Sequence, residues 1–329
     1  MEKWPRAKSK LTPDRRPWKV TFMGEIHNLL ERHGLHEARR QASLDGQLSR
    51  VCVDAAHEVL SDEALQIGIT HSGFAMAALP HKKTEETVWE REGGGIKLLI
   101  ESGLNDDKTP VGIPYGSMAR MILLYLQTQA VKTQSREVEL GSSMNAWLKV
   151  MGITVGGKTY NSVRDQAKRI SQCRLTFFRV HNGAKMVSNG AFVRDAIFPI
   201  QEDENQPSFW REVVRLDESF YESLIDHPLP LREVAIRQIS GKSKAIDTYI
   251  WLAYRLHILK EPVSISWHAF KGQFGPEYAR MRDFKRDITG PLKLALSVYP
   301  EAHVDVDMEK GLILYPSPPP VPERRILGR

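Results

Sequence analysis

A chain of 329 residues, with 46 Lys and Arg against 40 Asp and Glu, 41% hydrophobic and 26% charged residues, has a net charge of +6 and the composition of a globular protein, which excludes a collagen-like or low-complexity chain. Its two cysteines, Cys52 and Cys173, lie far apart without CxxC spacing, which argues against a disulfide framework or a cysteine zinc site and for a reducing, cytoplasmic setting. No apolar run approaches the roughly 18–20 residues that span a bilayer, and no apolar signal core opens the chain, so neither a membrane nor a secreted protein is expected.

Residues 1–20 hold seven Lys or Arg against two acids, a local charge of +5, with Pro5, Pro13 and Pro17 among them. They read as a disordered basic arm. Residues 25–32 and 54–60 read as helices. Residues 66–69, 74–77 and 95–100 read as strands, the last after the Gly93-Gly94-Gly95 turn. Pro114-Tyr115-Gly116-Ser117 marks a helix start with Ser117 as N-cap, and residues 118–131 are apolar nearly all round, as in a buried helix. Residues 136–140 form a short alternating strand. Gly141-Ser142-Ser143 caps a second helix with Met144, Trp147, Leu148 and Met151 on one face. After a turn over 152–157, Thr159 caps a third helix. Val163, Ala167 and Ile170 line one side of it, and Tyr160, Arg164 and Lys168 another. Residues 175–180 and 191–200 read as strands, joined by a loop over 181–190 that carries the turn signals Asn182-Gly183 and Asn189-Gly190.

The same order returns downstream. Residues 244–259 form an amphipathic helix and 263–266 a short strand. Trp267, Phe270 and Phe274 share one face of a short helix. Residues 278–296 are helical, with Met281, Phe284, Ile288, Leu292 and Leu296 on one side and Tyr278, Arg282, Lys285 and Arg286 on the other. Gly290-Pro291 should kink or break that helix, because proline removes a backbone donor. Residues 303–306 and 311–315 form a hairpin.

Helix, short strand, helix, turn, basic helix and hairpin thus occur twice, which is the order of a winged helix-turn-helix. The expected architecture is α+β: tandem winged-helix domains over 66–228 and 229–316, after a basic arm and helical region over 1–65. A Pro-rich basic tail over 317–329 follows, and both ends are expected to be flexible. Charge follows this plan. Residues 158–185 carry seven basic groups against one acid (+6), residues 201–226 two against eight (−6), and residues 271–293 six against three (+3). A helix with an apolar stripe on one side and Arg, Lys, Asn and Tyr on the other offers phosphate clamps and base-edge donors together. The candidate DNA contacts are Lys158, Tyr160, Asn161, Arg164, Lys168 and Arg169 on the first basic helix, with Arg179, His181 and Lys185 on its wing. In the second module they are Tyr278, Arg280, Arg282, Lys285 and Arg286, with Lys310 on the wing.

Several stretches resemble the RepA-type, iteron-binding plasmid replication initiators. In the second module these are Phe284-Lys285-Arg286-Asp287-Ile288, Pro291-Leu292-Lys293-Leu294-Ala295-Leu296 and Leu312-Ile313-Leu314-Tyr315-Pro316-Ser317-Pro318. In the first they are Gly112-Ile113-Pro114-Tyr115-Gly116 and Trp147-Leu148 before the Gly156-Gly157 turn. The resemblance covers about residues 65–320. It implies a cytoplasmic, plasmid-associated protein without enzymatic activity or cofactor. Such a protein binds direct repeats at an origin, opens adjacent DNA, and recruits the host initiator DnaA and the replicative helicase. It also implies that the chain can form a homodimer. A plasmid-encoded transcriptional repressor built on the same modules is the alternative.

Residues 152–159 fit the phosphate-loop pattern GxxxxGK[ST], which would suit an NTPase, but the segment before them has helical rather than strand periodicity. Six of the eleven histidines fall in residues 27–81. His33 and His36 are three apart, yet no further ligand stands at metal spacing, so these histidines read as surface groups. No His-x-His pair is present for a nicking site. Glu202-Asp203-Glu204 reads as an exposed loop.

Overall fold

The computed structural model describes residues 22–45, 49–139, 141–153, 156–181, 184–196 and 213–322. The expected basic arm, the Asn182-Gly183 turn and Glu202-Asp203-Glu204 lie outside these. Helices α1 (Phe22–Asp45) and α2 (Arg50–Leu60) come first, α1 bending at Gly34. Strand β1 (Ile67–His71), the short helix α3 (Gly73–Met76) and the hairpin β2 (Val88–Gly93) and β3 (Ile96–Glu101) follow. A first run then comprises α4 (Gly116–Thr133), β4 (Glu137–Glu139), α5 (Gly141–Val150), α6 (Gly157–Gln172), β5 (Arg174–His181), β6 (Ala184–Ala191), β7 (Val193–Ala196) and β8 (Val213–Leu216). Helix α7 (Glu218–Asp226), strand β9 (Pro228–Arg232) and helix α8 (Glu233–Ile239) lead to a second run. It comprises α9 (Ser243–His257), β10 (Val263–Ser266), α10 (Trp267–Phe274), α11 (Met281–Ser297), β11 (Val304–Asp307) and β12 (Gly311–Leu314).

The two runs share a sheet topology as well as an element order. In the first, β4 pairs with β8 and β8 with β7; in the second, β10 pairs with β12 and β12 with β11, all antiparallel. The first run differs by an insertion. Strands β5 and β6 stand between its third helix and its β7–β8 pair, and they join β2 and β3 in a separate sheet of order β2-β3-β5-β6. The two runs also touch directly, since α4 packs on α9; outside them, β1 pairs with β9 across 157 residues or more of chain.

Each run is organised by its first helix. In α4, residues 119–128 are all buried, as the unbroken apolar run requires. Helix α9 buries Ala245, Ile246, Tyr249, Ile250, Trp251, Leu252, Ala253 and Leu256. Trp251 packs against Phe270 and Phe274 of α10, ring centroids 5.5 and 5.4 Å apart, so these aromatics are core.

Five local expectations are corrected. Residues 74–77 are not a strand. Phe74, Ala75 and Met76 are all buried within α3, without the in-and-out alternation of a strand. Residues 184–190 are strand β6 rather than loop. Asn189 accepts a cross-strand bond from the Thr176 hydroxyl (3.0 Å), and Gly190 is there because a Cβ would meet Ser219 Oγ at 2.6 Å. The caps Ser117 and Thr159 are not used. Helix α4 follows an extended Tyr115, and α6 follows an extended Gly156. Helix α11 runs through Pro291 unbroken. Residues 317–321 are docked, not free: Ser317 N donates to Leu256 O, Tyr299 Oη to Pro318 O and Arg232 Nε to Pro320 O, and Val321 is buried. The histidines are also divided. His33 and His36 are exposed on either side of the Gly34 bend, whereas His27 and His71 are buried, with His27 Nε2 2.9 Å from Ser297 O. Cys52 and Cys173 are buried and unbridged.

Candidate nucleic-acid interface

Helix α6 buries Val163, Gln166, Ala167, Arg169 and Ile170 toward α4. Lys158, Asn161, Arg164 and Lys168 are exposed. Their spacing of three, three and four residues draws one stripe along the opposite side of a helix. Tyr160 is half-buried at its edge. Arg169 stands apart from this stripe. Its side chain is turned inward, ion-paired with Asp165 at 2.9 Å and stacked over the Tyr115 ring at 5.3 Å. It fills the space beside Gly112, where a Cβ would come within 2.0 Å of Nη1. With Gln166 Oε1 accepting from Tyr115 N at 2.8 Å, α6 thereby clasps the Ile113-Pro114-Tyr115 segment.

Arg179 and His181 lie on β5 and Lys185 on β6, with Val180 opposite Lys185 in the register. That hairpin belongs to the sheet with β2 and β3. By sheet order, the pair matching the second run's β11–β12 hairpin is β7–β8, and the segment joining them lies outside the described residues. The three residues therefore do not sit on the pair equivalent to β11–β12.

Helix α11 buries Phe284, Ile288 and Leu292 on one side, each worth about 1.5–3 kcal/mol relative to exposure. Arg282 and Arg286 face out, and Arg286 is 77% exposed with only an i,i+3 contact to Asp283 at 3.4 Å. Arg280 is exposed at the N-cap. The other two expected contacts are engaged inside the module. Tyr278 donates its hydroxyl to Asp287 and accepts from Lys244. Burial opposes ionisation of Asp287, but the bonds from Lys244 and Tyr278 prevail and hold its carboxyl below the usual range. Lys285 Nζ donates to Met308 O at 2.7 Å and lies 5.2 Å over the Trp267 ring.

The hairpin tip is built to hold that position. Asp307 Oδ1 accepts from Glu309 N (2.7 Å) and Lys310 N (2.9 Å), and these bonds keep its carboxyl below the ordinary range. Trp267 Nε1 donates to Asp307 O at 2.8 Å. The Lys310 side chain stands exposed at the tip.

The phosphate-loop pattern at 152–159 runs from the turn after α5 into the first residues of α6, with Thr154 and Val155 outside the described residues. A helix therefore precedes it, where a phosphate loop needs a strand. Among the described residues no group of three or more His, Cys, Asp or Glu could hold a metal ion, and no helix is long and apolar enough to cross a membrane. The arrangement offers two outward basic helix faces.

Sequence reasoning missed one polar pair. Arg120 was hidden in the apolar run of α4, and it is buried against Asp247 of α9. No short-range signal could have joined residues 127 apart.

No curated protein matches the chain. Two solved structures of domains 2 and 3 of RctB are similar at 14% identity. One covers 68% of this chain and 84% of that one with a TM-score of 0.48; the other covers 73% and 93% with a TM-score of 0.47. Both likenesses are too slight to bear on fold or function. Residues 113–269, a little under half of the chain, match the family model RepA_C, described as plasmid encoded RepA protein. The match spans α4 to α6, the whole first run and the start of the second, while the motifs at 284–296 and 312–318 lie beyond it. Over this segment the chain is similar to plasmid-encoded RepA proteins.

Proposed function

We propose that the protein is a plasmid replication initiator that reads direct repeats of an origin through two winged-helix modules. One observation carries this reading: a helix–strand–helix–helix–hairpin run with one sheet order occurs twice, and each time the helix before the hairpin turns a basic face outward. In a winged helix that element enters the major groove and the hairpin lies along the flanking backbone. The contact set is Lys158, Tyr160, Asn161, Arg164 and Lys168 on α6, with Arg280, Arg282, Arg286 and Lys310 in the second module. Arg282 and Arg286 suit base edges because a guanidinium can pair bidentately with guanine. Binding would open adjacent DNA and recruit the host initiator DnaA and the replicative helicase, with a homodimer as a second state. None of this needs a cofactor or a catalytic residue.

The test starts from the duplex that the wild-type chain selects from a random-sequence pool. Arg282→Ala and Arg286→Ala should each weaken binding to it by about 1–3 kcal/mol if they touch bases. Equal affinity of the double variant and the wild type, measured by fluorescence anisotropy, would remove the second module from the reading. A marker plasmid carrying the gene and its flanking DNA should replicate with the wild-type protein and fail with the double variant; repression without replication would point to a repressor instead.

A further inference from the structure

Arg120 lies on α4 and Asp247 on α9, the first helices of the two runs. Arg120 Nε and Nη2 donate to the two Asp247 oxygens, both at 2.6 Å. The side chains are 5% and 6% exposed. The other guanidinium donors go to Gly116 O and Leu79 O at 2.7 Å and Pro80 O at 3.2 Å. All five N–H groups of the guanidinium are thus accounted for. Two further contacts join elements before α4 to the second run: Arg91 lies 3.6 Å from Glu277, and Gln273 Nε2 donates to Met76 O at 2.7 Å.

A buried ion pair is a poor way to add stability. Desolvation offsets most of the attraction, and a well-packed apolar pair often serves as well or better. What an apolar pair lacks is direction. A bidentate fork has one productive distance and one productive angle, so it resists sliding and rotation that interlocked methyl groups tolerate. Here the fork joins α4, on which α6 packs, to α9, on which α11 packs. Its geometry therefore passes to the offset between the two outward basic faces.

We propose that Arg120 and Asp247 are positioning residues that set the phase between α6 and α11, and with it the spacing of the two half-sites the protein accepts. This rests on the reading of α6 and α11 as DNA-reading helices. One inserted base pair moves the second half-site by 3.4 Å, and with about 10–10.5 base pairs per turn it rotates that half-site by roughly 35°. A rigid reader must lose affinity for such a duplex, and a slack one need not.

The experiment measures one ratio, affinity for the selected duplex over affinity for the same duplex with one base pair inserted between its half-sites. The full chain is used as wild type, as Arg120→Met/Asp247→Leu, and as Arg120→Lys, which keeps the charge and loses the fork. Because it is a ratio, a general loss of affinity cancels. The wild type should prefer its own spacing by about tenfold or more, and the apolar double variant, still folded by thermal unfolding, by less than about threefold. Arg120→Lys should fall between them. An unchanged ratio in the folded double variant overturns the proposal. If that variant does not fold, an unchanged ratio in Arg120→Lys does so. If the wild type selects no duplex, or shows no spacing preference, the reading of two DNA-reading helices fails and the phase-setting role with it.

Discussion

Lys168 and Arg169 are adjacent in the chain and opposite in employment. Lys168 stands in solvent on the outward stripe of α6, while Arg169 is 8% exposed, over the Tyr115 ring and beside Gly112. Lys168→Ala should leave thermal stability unchanged and lower the slope of log affinity against log salt by about 0.9, the loss of one phosphate contact. Arg169→Ala should leave that slope unchanged and destabilise the protein by about 1–3 kcal/mol, since it empties a packed site under the 112–115 segment. Salt titration of binding and thermal unfolding separate the two. Helical periodicity alone put Tyr160, Arg164 and Lys168 on the side away from Val163, Ala167 and Ile170; the exposed stripe runs through Lys158, Asn161, Arg164 and Lys168, with Tyr160 half-buried at its edge. Periodicity could not tell which basic neighbours find partners inside. Tyr115, Met308 and Lys244 stand 54, 23 and 34 residues from Arg169, Lys285 and Tyr278 respectively, beyond any local pattern.

Among the elements, the second run was legible almost to the residue. Strand β10 falls at 263–266 as expected, and α9, α10, β11 and β12 within two residues of their expected bounds. Each of these is specified by its own short pattern. Helix α11 is the partial exception, because it carries on through Pro291 with Ile288 and Leu292 buried on either side of it. Proline offers no N–H to the carbonyl four residues back, and a proline inside a helix costs about 3 kcal/mol against alanine. Pro291→Ala is therefore expected to stabilise the protein by about 1–3 kcal/mol, read as a higher melting temperature. The first run departs from its pattern after α6. Asn189-Gly190 looks like a turn in isolation, but it lies in β6 because the start of α7 leans on the strand at Gly190. The hairpin expected there belongs to the β2–β3 sheet, and only sheet order identifies β7–β8 as the counterpart of β11–β12.

Across the whole molecule, the first and last described segments pack largely on the second run. Helices α1 and α2 pack on α11, α2 also packs on α8, and residues 317–321 are held by Leu256, Tyr299 and Arg232. The two runs meet at Arg120 and Asp247, beside His81, whose Nε2 is 3.7 Å from Asp247 Oδ2. Burial, reinforced by Arg120, Lys244 and Arg91, pushes the His81 pKa down to about 2. The native state thus holds His81 neutral where an unfolded chain titrates near 6.5. Below about pH 6.5 the unfolded chain binds the extra proton, so this group's contribution to stability is complete above that pH and falls as acid is added. The loss is at most about 1.4 kcal/mol per pH unit. His81→Gln should flatten the decline of melting temperature between pH 6.5 and 4 relative to the wild type. A parallel decline would show that His81 is not the titrating group.

The amino-acid sequence by itself determined the alternation of helices and short strands, its duplication, and the basic outward face of each third helix. These depend on periodicity within one element, and a residue's neighbours three and four positions away decide which side is apolar. Only the tertiary structure decided that Arg169, Tyr278 and Lys285 are turned to internal partners, that the inserted hairpin belongs to another sheet, and that one buried fork joins the two runs. Each of those depends on side chains brought together from distant positions, where burial gives a charged group strong reason to find its partner.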